Sequence, residues 1–316
     1  MGKSRRPLLV LFLVWALFLS KSSGAKTYKI CSYNVQNFNV SKLDGLRILH
    51  LLTKVLSICD VCLLQEVRDL DGEAMKKLVS SLNGYNGFNY DYVASGGLGR
   101  GEEDKEQYVF LYRKQTTTIV DQYQYPDEKK GSEDAFSREP FIVYFNASQT
   151  VIGEFVLIPL RVEPEKALEE IDALYDVVTE IKKKWQVENI MLLGDFQADC
   201  GYVTKTNRRD NRLFGSLDLF WLIKDDADTT VTDMTDCAYD RFVVHGQTFL
   251  RGIVPLSAKV FNFKKVFKIS MNEVLEISDH YPIHVDLKVK SSGQQQALLQ
   301  PCIVLLTLIT IVLFPA

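Results

Sequence analysis

Five short stretches set chemically capable residues beside apolar runs: Asn34 in SYNVQNF, Glu66 in LLQEVRD, Asp195 in LGDFQADC, Asp240 in CAYDRFVV, and the pair Asp279-His280 in ISDHYP. One carboxylate at such a place is ordinarily solvated or forms a turn. Five stations spread over most of the chain converge if their strands lie side by side. Glu66, Asp195, Asp240 and Asp279 then form an acidic cluster, which is costly unless a hard cation such as Mg²⁺ or Ca²⁺ neutralises it through oxygen ligands. His280 is the one histidine next to a carboxylate, the arrangement a general base near neutral pH requires. A sixth stretch, LIPLRVEP, ends the apolar run Phe155–Ile158 with a charged residue, Arg161. Open α/β folds place their chemistry at strand ends facing a cleft. From its position alone, Arg161 is either a solvated strand end or a working residue.

Strands and helices must position these groups, and both are legible in outline. TYKICSYN, VCLLQ, QYVFLYR, FIVYFN, FVLIPL and NIMLLG read as strands, and HYPIHVDLKV alternates like a half-exposed one. Leu46, Leu49, Leu52, Val55 and Leu56 recur at helical spacing, which predicts an amphipathic helix over residues 42–58. Leu168, Ile171, Leu174, Tyr175 and Val178 mark a second long helix that ends in Lys182-Lys183-Lys184, a charge suited to a helix C-terminus. Residues 127–136 read as a polar loop. Several strands follow one another without a helix, so the pattern is one α/β domain with much antiparallel pairing.

The chain has 316 residues, and its two ends read as processing signals. Lys3, Arg5 and Arg6 precede the apolar LLVLFLVWALFL, and Ser23-Gly24-Ala25 follows, so residues 1–25 are expected to be a secretory signal peptide. Ser291-Ser292-Gly293, a polar spacer and the uncharged tail CIVLLTLITIVLFPA have the layout of a GPI-attachment signal over residues 291–316. A single-span tail is the rival, but no basic residue follows the apolar run. The domain is then residues 26–290, on the extracellular face of the plasma membrane. Trimming removes four of the 37 basic residues and no acid, leaving 33 bases against 40 acids, a net of −7. That balance does not suit a tight binder of nucleic acid. Secretion permits disulfides and glycosylation, for which Asn39-Val-Ser41 and Asn146-Ala-Ser148 are candidates. Cys31, Cys59 and Cys62 sit in or beside apolar strands and read as small buried residues.

QEVRD, SREPF, ALYDV, LGDFQADC, CAYDR and SDHYP, in this order over residues 27–290, together resemble the deoxyribonuclease I family within the endonuclease/exonuclease/phosphatase fold. The two end signals resemble its membrane-anchored branch. The resemblance implies a four-layered α/β sandwich of two mixed sheets flanked by helices, and metal-dependent hydrolysis of DNA phosphodiester bonds by a monomer. It implies that Glu66 holds the divalent metal with Asn34 and Asp279 close by, and that Asp195 holds metal or phosphate. His280 would activate water, oriented by Asp240. Glu106 would partner a second histidine. Arg68, Arg138 and Tyr239 would contact DNA, Cys200 and Cys237 would pair, and Asp228 with Thr230 would hold calcium.

The departures from that pattern bear on function. Where the family places its second histidine, this chain has Arg161, whose guanidinium cannot exchange a proton near neutral pH. Arg161 is expected to pair with Glu106 and to act through charge rather than as an acid. Gln197 stands for an asparagine, one methylene longer. Gly101-Glu102-Glu103-Asp104 replaces a loop with an aromatic that packs on the sugar. His245 and His284 are expected on surface strands and His50 on a helix, so none substitutes for the missing histidine. The expectation is a double-stranded DNA endonuclease of reduced activity. The alternatives are an inactive surface-anchored binding protein of the same fold, or a phosphodiesterase for another phosphoester.

Overall fold

The computed structural model describes residues 27–101, 104–126 and 134–291. The signal peptide, most of the GPI-like tail, Glu102 and Glu103 of the acidic loop and most of the 127–136 loop lie outside these residues. Among the described residues, no helix is long and apolar enough to cross a membrane.

In chain order the elements are β1 (Thr27–Phe38), α1 (Leu46–Leu56), β2 (Val61–Val67), α2 (Glu73–Asn86), β3 (Tyr90–Ala94), β4 (Gln107–Arg113), β5 (Thr118–Gln124), β6 (Phe141–Ala147), β7 (Gly153–Arg161), α3 (Ala167–Trp185) and β8 (Ile190–Asp195). The second half continues with α4 (Arg212–Gly215), β9 (Leu219–Trp221), β10 (Asp240–His245), α5 (Gln247–Gly252), β11 (Lys259–Val260), α6 (Phe263–Phe267), α7 (Met271–Leu275) and β12 (Ile283–Lys288). They form two mixed sheets, ordered β11-β12-β1-β2-β4-β3 and β5-β6-β7-β8-β10-β9. Each is built around one parallel pair, β1 with β2 and β7 with β8, and each pair is joined by a helix, α1 or α3. The remaining neighbours run antiparallel.

The apolar runs are continuous because both faces of the central strands are covered. Val61 and Leu63 of β2, Phe155 and Leu157 of β7, and Met191 and Leu193 of β8 fill the layer between the sheets. Their alternates face helices: Cys62 and Leu64 pack in the layer under α1 and α2, and Val156, Ile158, Ile190 and Leu192 pack under α3. The expected four layers are therefore present. Of the residues whose spacing marks α3, Ile171, Leu174 and Val178 are buried, Leu168 is half-buried and Tyr175 is exposed.

One cysteine expectation is corrected. Cys31 and Cys59 are not merely small buried residues but a disulfide, with Cα atoms 6.0 Å apart. Cys59 sits just before β2, alongside β1, within bonding reach of Cys31, and Cys62 is left as a buried free thiol. Cys200 and Cys237 form a second disulfide, as the resemblance implies.

The sheets are tied at one end by a fully buried amide. Gln65 Nε2 donates to Leu160 O at 2.7 Å, and its Oε1 accepts from Asp195 N at 3.0 Å. This close approach requires Gly194, whose φ is +137° and where a Cβ would meet Leu160 O at 2.1 Å and Gln65 Nε2 at 2.7 Å. Gly194→Ala is therefore expected to cost about 3 kcal/mol in urea denaturation. Gly201→Ala, with open space around it, should stay within about 0.5 kcal/mol. Equal stabilities for the two variants would contradict this account of the tie.

Candidate active site

Alternation along the strands explains why the site forms where it does. Tyr28 and Ile30 of β1, Tyr108 and Phe110 of β4, and Phe242 and Val244 of β10 all point between the sheets. Side chains two residues apart share a face, so Asn34, Gln65, Glu106, Arg161, Asp195 and Asp240 each lie in register with this inter-sheet face, the last four at or next to a strand end and Asn34 and Gln65 short of the ends of β1 and β2. Asp240 and Glu106 precede their apolar runs instead of following them. β10 and β4 run antiparallel to β8 and β2, so their starts lie beside the others' ends, and Asp240 pairs directly with Asp195.

Glu66 reaches the site by a different route. β2 is bulged between Leu64 and Val67, and β1 between Asn34 and Phe38. Glu66 has φ 56°, with Gln36 at 44° and Asn37 at 52° across from it. Side chains rarely take this conformation, and it turns the Glu66 carboxylate into the cluster.

The resulting network is dense. Asn34 Nδ2 donates to Glu66 Oε1 at 2.9 Å and to Asp195 Oδ2 at 3.2 Å. His280 Nδ1 lies 2.8 Å from Asp240 Oδ2, and its Nε2 lies 3.7 Å from Asp195 Oδ2. The Ser278 hydroxyl fixes this histidine turn by accepting from His280 N at 3.0 Å and donating to Asn34 O at 2.7 Å. Tyr239 and Tyr202 border the site, with the Tyr239 ring 6.3 Å from the His280 ring. Asp279 is half-buried and acts on His280 by charge, but it is not in the tight group of Asp195, Asp240 and His280.

Arg161 keeps its expected partner and gains a nearer one, and the surface place expected for His245 is corrected. Arg161 does meet Glu106, at 3.5 Å, but its nearer partner is Glu66, with Nη2 at 2.9 Å and Nε at 3.3 Å from Oε1. The bulge that swings Glu66 inward brings it within reach of Arg161. Arg138, expected to contact DNA, is buried, with Nε 2.8 Å from Glu106 Oε2. Glu106 itself is 2 % exposed and draws Arg68 as well, at 3.2 Å, because a buried carboxylate must be neutralised. His245 is buried, not on the surface, held by Glu188 O at 2.9 Å and Lys182 Nζ at 3.2 Å. His284 is half-buried in β12, with Lys29 Nζ 3.1 Å from its Nδ1, and burial helped by Lys29 pushes its ring down to about 4. His50 lies on α1 as expected.

The other candidates are placed as follows. Gln197, at φ 45°, folds back so that its Nε2 donates to both oxygens of Asp195, at 2.9 and 3.2 Å. Asp228 Oδ1 accepts from Thr230 N at 2.9 Å and Thr230 Oγ1 at 2.6 Å, inside a turn that also contains disulfide-bonded Cys237. Asn39 and Asn146 are partly exposed, and Asn146 Nδ2 donates to Glu154 at 3.3 Å. Two site residues escaped sequence reasoning. Gln65 carries no charge, and Tyr108, whose hydroxyl accepts from Arg161 N at 2.8 Å, sits within an apolar strand. Their inward register on β2 and β4 was the available signal.

Burial alone would lower the His280 pKa, but Asp240 and Asp195 more than reverse that and hold the ring up at about 10. Burial raises the Asp240 carboxyl. Burial would also raise Glu66, yet Arg161 and the Asn34 amide leave it below its ordinary value. A histidine raised in the folded state adds stability that is complete below its unfolded pKa and is lost as pH rises through the folded one. Stability should therefore fall between about pH 6.5 and about pH 10, and fall less in Asp240→Asn. NMR titration of the His280 ring should show a value well above the ordinary one; an ordinary midpoint in the parent protein would contradict the charge balance described here.

The comparisons agree with this geometry. The endonuclease/exonuclease/phosphatase family model matches residues 31–280. Deoxyribonuclease gamma of Rattus norvegicus is 40% identical over 278 residues, covering 87% of this chain and 89% of the relative. Deoxyribonuclease-1 of Gallus gallus is 43% identical over 284 residues, covering 89% and 99%. Among solved structures, an endonuclease/exonuclease/phosphatase from Bacteroides vulgatus superposes with a TM-score of 0.57 at 17% identity, covering 84% of this chain and 100% of that one. With the fold, the site register and these identities in agreement, the chain belongs to the endonuclease/exonuclease/phosphatase family, in its deoxyribonuclease I group.

Proposed function

We propose that the chain is a divalent-cation-dependent endonuclease that hydrolyses phosphodiester bonds in DNA outside the cell, at a rate reduced by Arg161 and Gln197. The observation that carries the proposal is the Asp240–His280 pair, 2.8 Å apart, with His280 Nε2 3.7 Å from Asp195, which shares the Asn34 amide with Glu66. The names of the relatives, deoxyribonucleases, support DNA as the substrate.

The donor set fits a hard divalent cation: Glu66 and Asp195 supply carboxylate oxygens, joined through the Asn34 amide. When bound, such an ion supplies positive charge to the phosphate oxygens and favours attack at phosphorus. The protein's own part is positioning and proton transfer. Asp240 holds the His280 ring so that Nε2 points to the space beside Asp195, where it takes a proton from water. His280 must first give up the proton it holds at neutral pH, and added positive charge nearby promotes that loss. Arg161 cannot protonate the leaving alkoxide, so it contributes charge alone.

A second reading, an inactive surface protein that keeps the fold, is favoured by one observation: Arg161 already engages Glu66. Plasmid nicking in Mg²⁺ and Ca²⁺ separates the two. Arg161→His, and more so Arg161→His/Gln197→Asn, is expected to cut faster, approaching the roughly 10²–10⁴-fold that a positioned acid contributes. His280→Ala should remove nicking. A parent that cuts as fast as the double variant would sink the account of Arg161, and undiminished cutting by His280→Ala would sink the assigned function.

The layout of the C-terminal residues supports attachment at the outer membrane face through a lipid anchor. Phosphatidylinositol-specific phospholipase should release the protein from intact cells. Retention of the protein after treatment would overturn the anchor.

A further inference from the structure

Every oxygen of Glu66 is already engaged by the protein. Oε1 accepts from Asn34 Nδ2 at 2.9 Å, Arg161 Nη2 at 2.9 Å and Arg161 Nε at 3.3 Å, and Oε2 accepts from Asn37 N at 3.2 Å. Oε1 meets three N–H donors with two lone pairs, so a cation that binds this oxygen must displace donors already on it, Arg161 among them. The cation also needs to approach a place where the Arg161 guanidinium already holds a permanent positive charge, 2.9 Å from Glu66 and 3.5 Å from Glu106.

We propose that Arg161 is a resident counter-ion of Glu66 that competes with the divalent cation, so that the site takes the ion weakly and the Arg161 side chain sets that affinity. This rests on the reading of Glu66 as a cation ligand and adds what regulates it. The competition does not relax with pH, because a guanidinium keeps its charge throughout the working range. A neutral side chain at residue 161 would remove the guanidinium from Glu66, leaving its Oε1 to the Asn34 amide, while Arg68 and Arg138 stay on Glu106. The geometry is specific to this residue. Arg161 is the last residue of β7, its backbone N–H is fixed on Tyr108, and its head lies between the two acids.

Binding of Mn²⁺ to the purified chain, followed by calorimetry in the absence of DNA, tests this without reference to activity. Arg161→Gln, and Arg161→His at a pH where the ring is neutral, are expected to bind Mn²⁺ at least tenfold more tightly than the parent, about 1.4 kcal/mol. Arg161→Lys, which keeps the charge, should stay close to the parent. Circular dichroism establishes that each variant is folded, and two neutral variants guard against the loss of one. Neutral variants that bind no tighter than the parent, or a lysine variant that gains as much as they do, would overturn the proposal. Glu66→Gln separates the two layers of the argument. If it abolishes binding while the neutral Arg161 variants gain nothing, Glu66 stands as a ligand and the competition fails. If it binds like the parent, the ligand assignment itself fails.

Discussion

Packing two sheets face to face leaves the outermost inward-facing position of each central strand with no apolar partner. Most of the chemistry here follows from that constraint. Asn34, Gln65, Glu106, Arg161, Asp195 and Asp240 occupy those positions, and all but Arg161 are nine-tenths buried or more. Charges held there cannot be left to solvent, so they neutralise one another: Glu106 among three arginines, Glu66 on Arg161, Asp240 on His280. A buried charge that loses its partner costs far more than a solvated one. The site is therefore a structural ion network.

Backbone geometry serves the same network. The bulges in β1 and β2, the left-handed Glu66, and Gly194 under the Gln65 amide let chain segments approach more closely than regular pleats permit. Arg161 and Gln197 alter what the network presents. A histidine at residue 161 could pass a proton and could also become neutral, whereas an arginine does neither. Gln197 folds its longer arm back onto Asp195. Both side chains belong to the polar lining and occupy carboxylate oxygens of Glu66 and Asp195.

Much of this was legible in the sequence, for a physical reason. Strands buried on both faces read as continuous apolar runs, and α1 and α3 show clear 3.6-residue periodicity, so the central layers were visible. The motifs pointed to a cluster of Glu66, Asp195, Asp240 and Asp279, of which Asp195 and Asp240 fall in one tight group, with His280 where Asp279 was expected. Pairings between distant segments were less visible. That Arg161 prefers Glu66 to Glu106 depends on a bulge whose φ values no composition reveals. That Arg138 is buried on Glu106 depends on how the Ser137-Arg138 segment crosses β4. Cys31 and Cys59 are paired by the register of β1 against the turn before β2, which the apolar character of those strands did not disclose. Gln65 was overlooked because an uncharged amide beside Glu66 drew no attention, although its register already placed it between the sheets.

The central claim is that Glu66 and Arg161 hold each other at the place where a divalent cation would bind. Anomalous diffraction from crystals soaked in a high concentration of Mn²⁺ tests it most directly. The account predicts an anomalous peak within ligand distance of a Glu66 oxygen, with the Arg161 guanidinium displaced from Glu66 and retained by Glu106. A peak beside Glu66 with the Arg161–Glu66 ion pair intact, or a peak confined to other carboxylates, would contradict it.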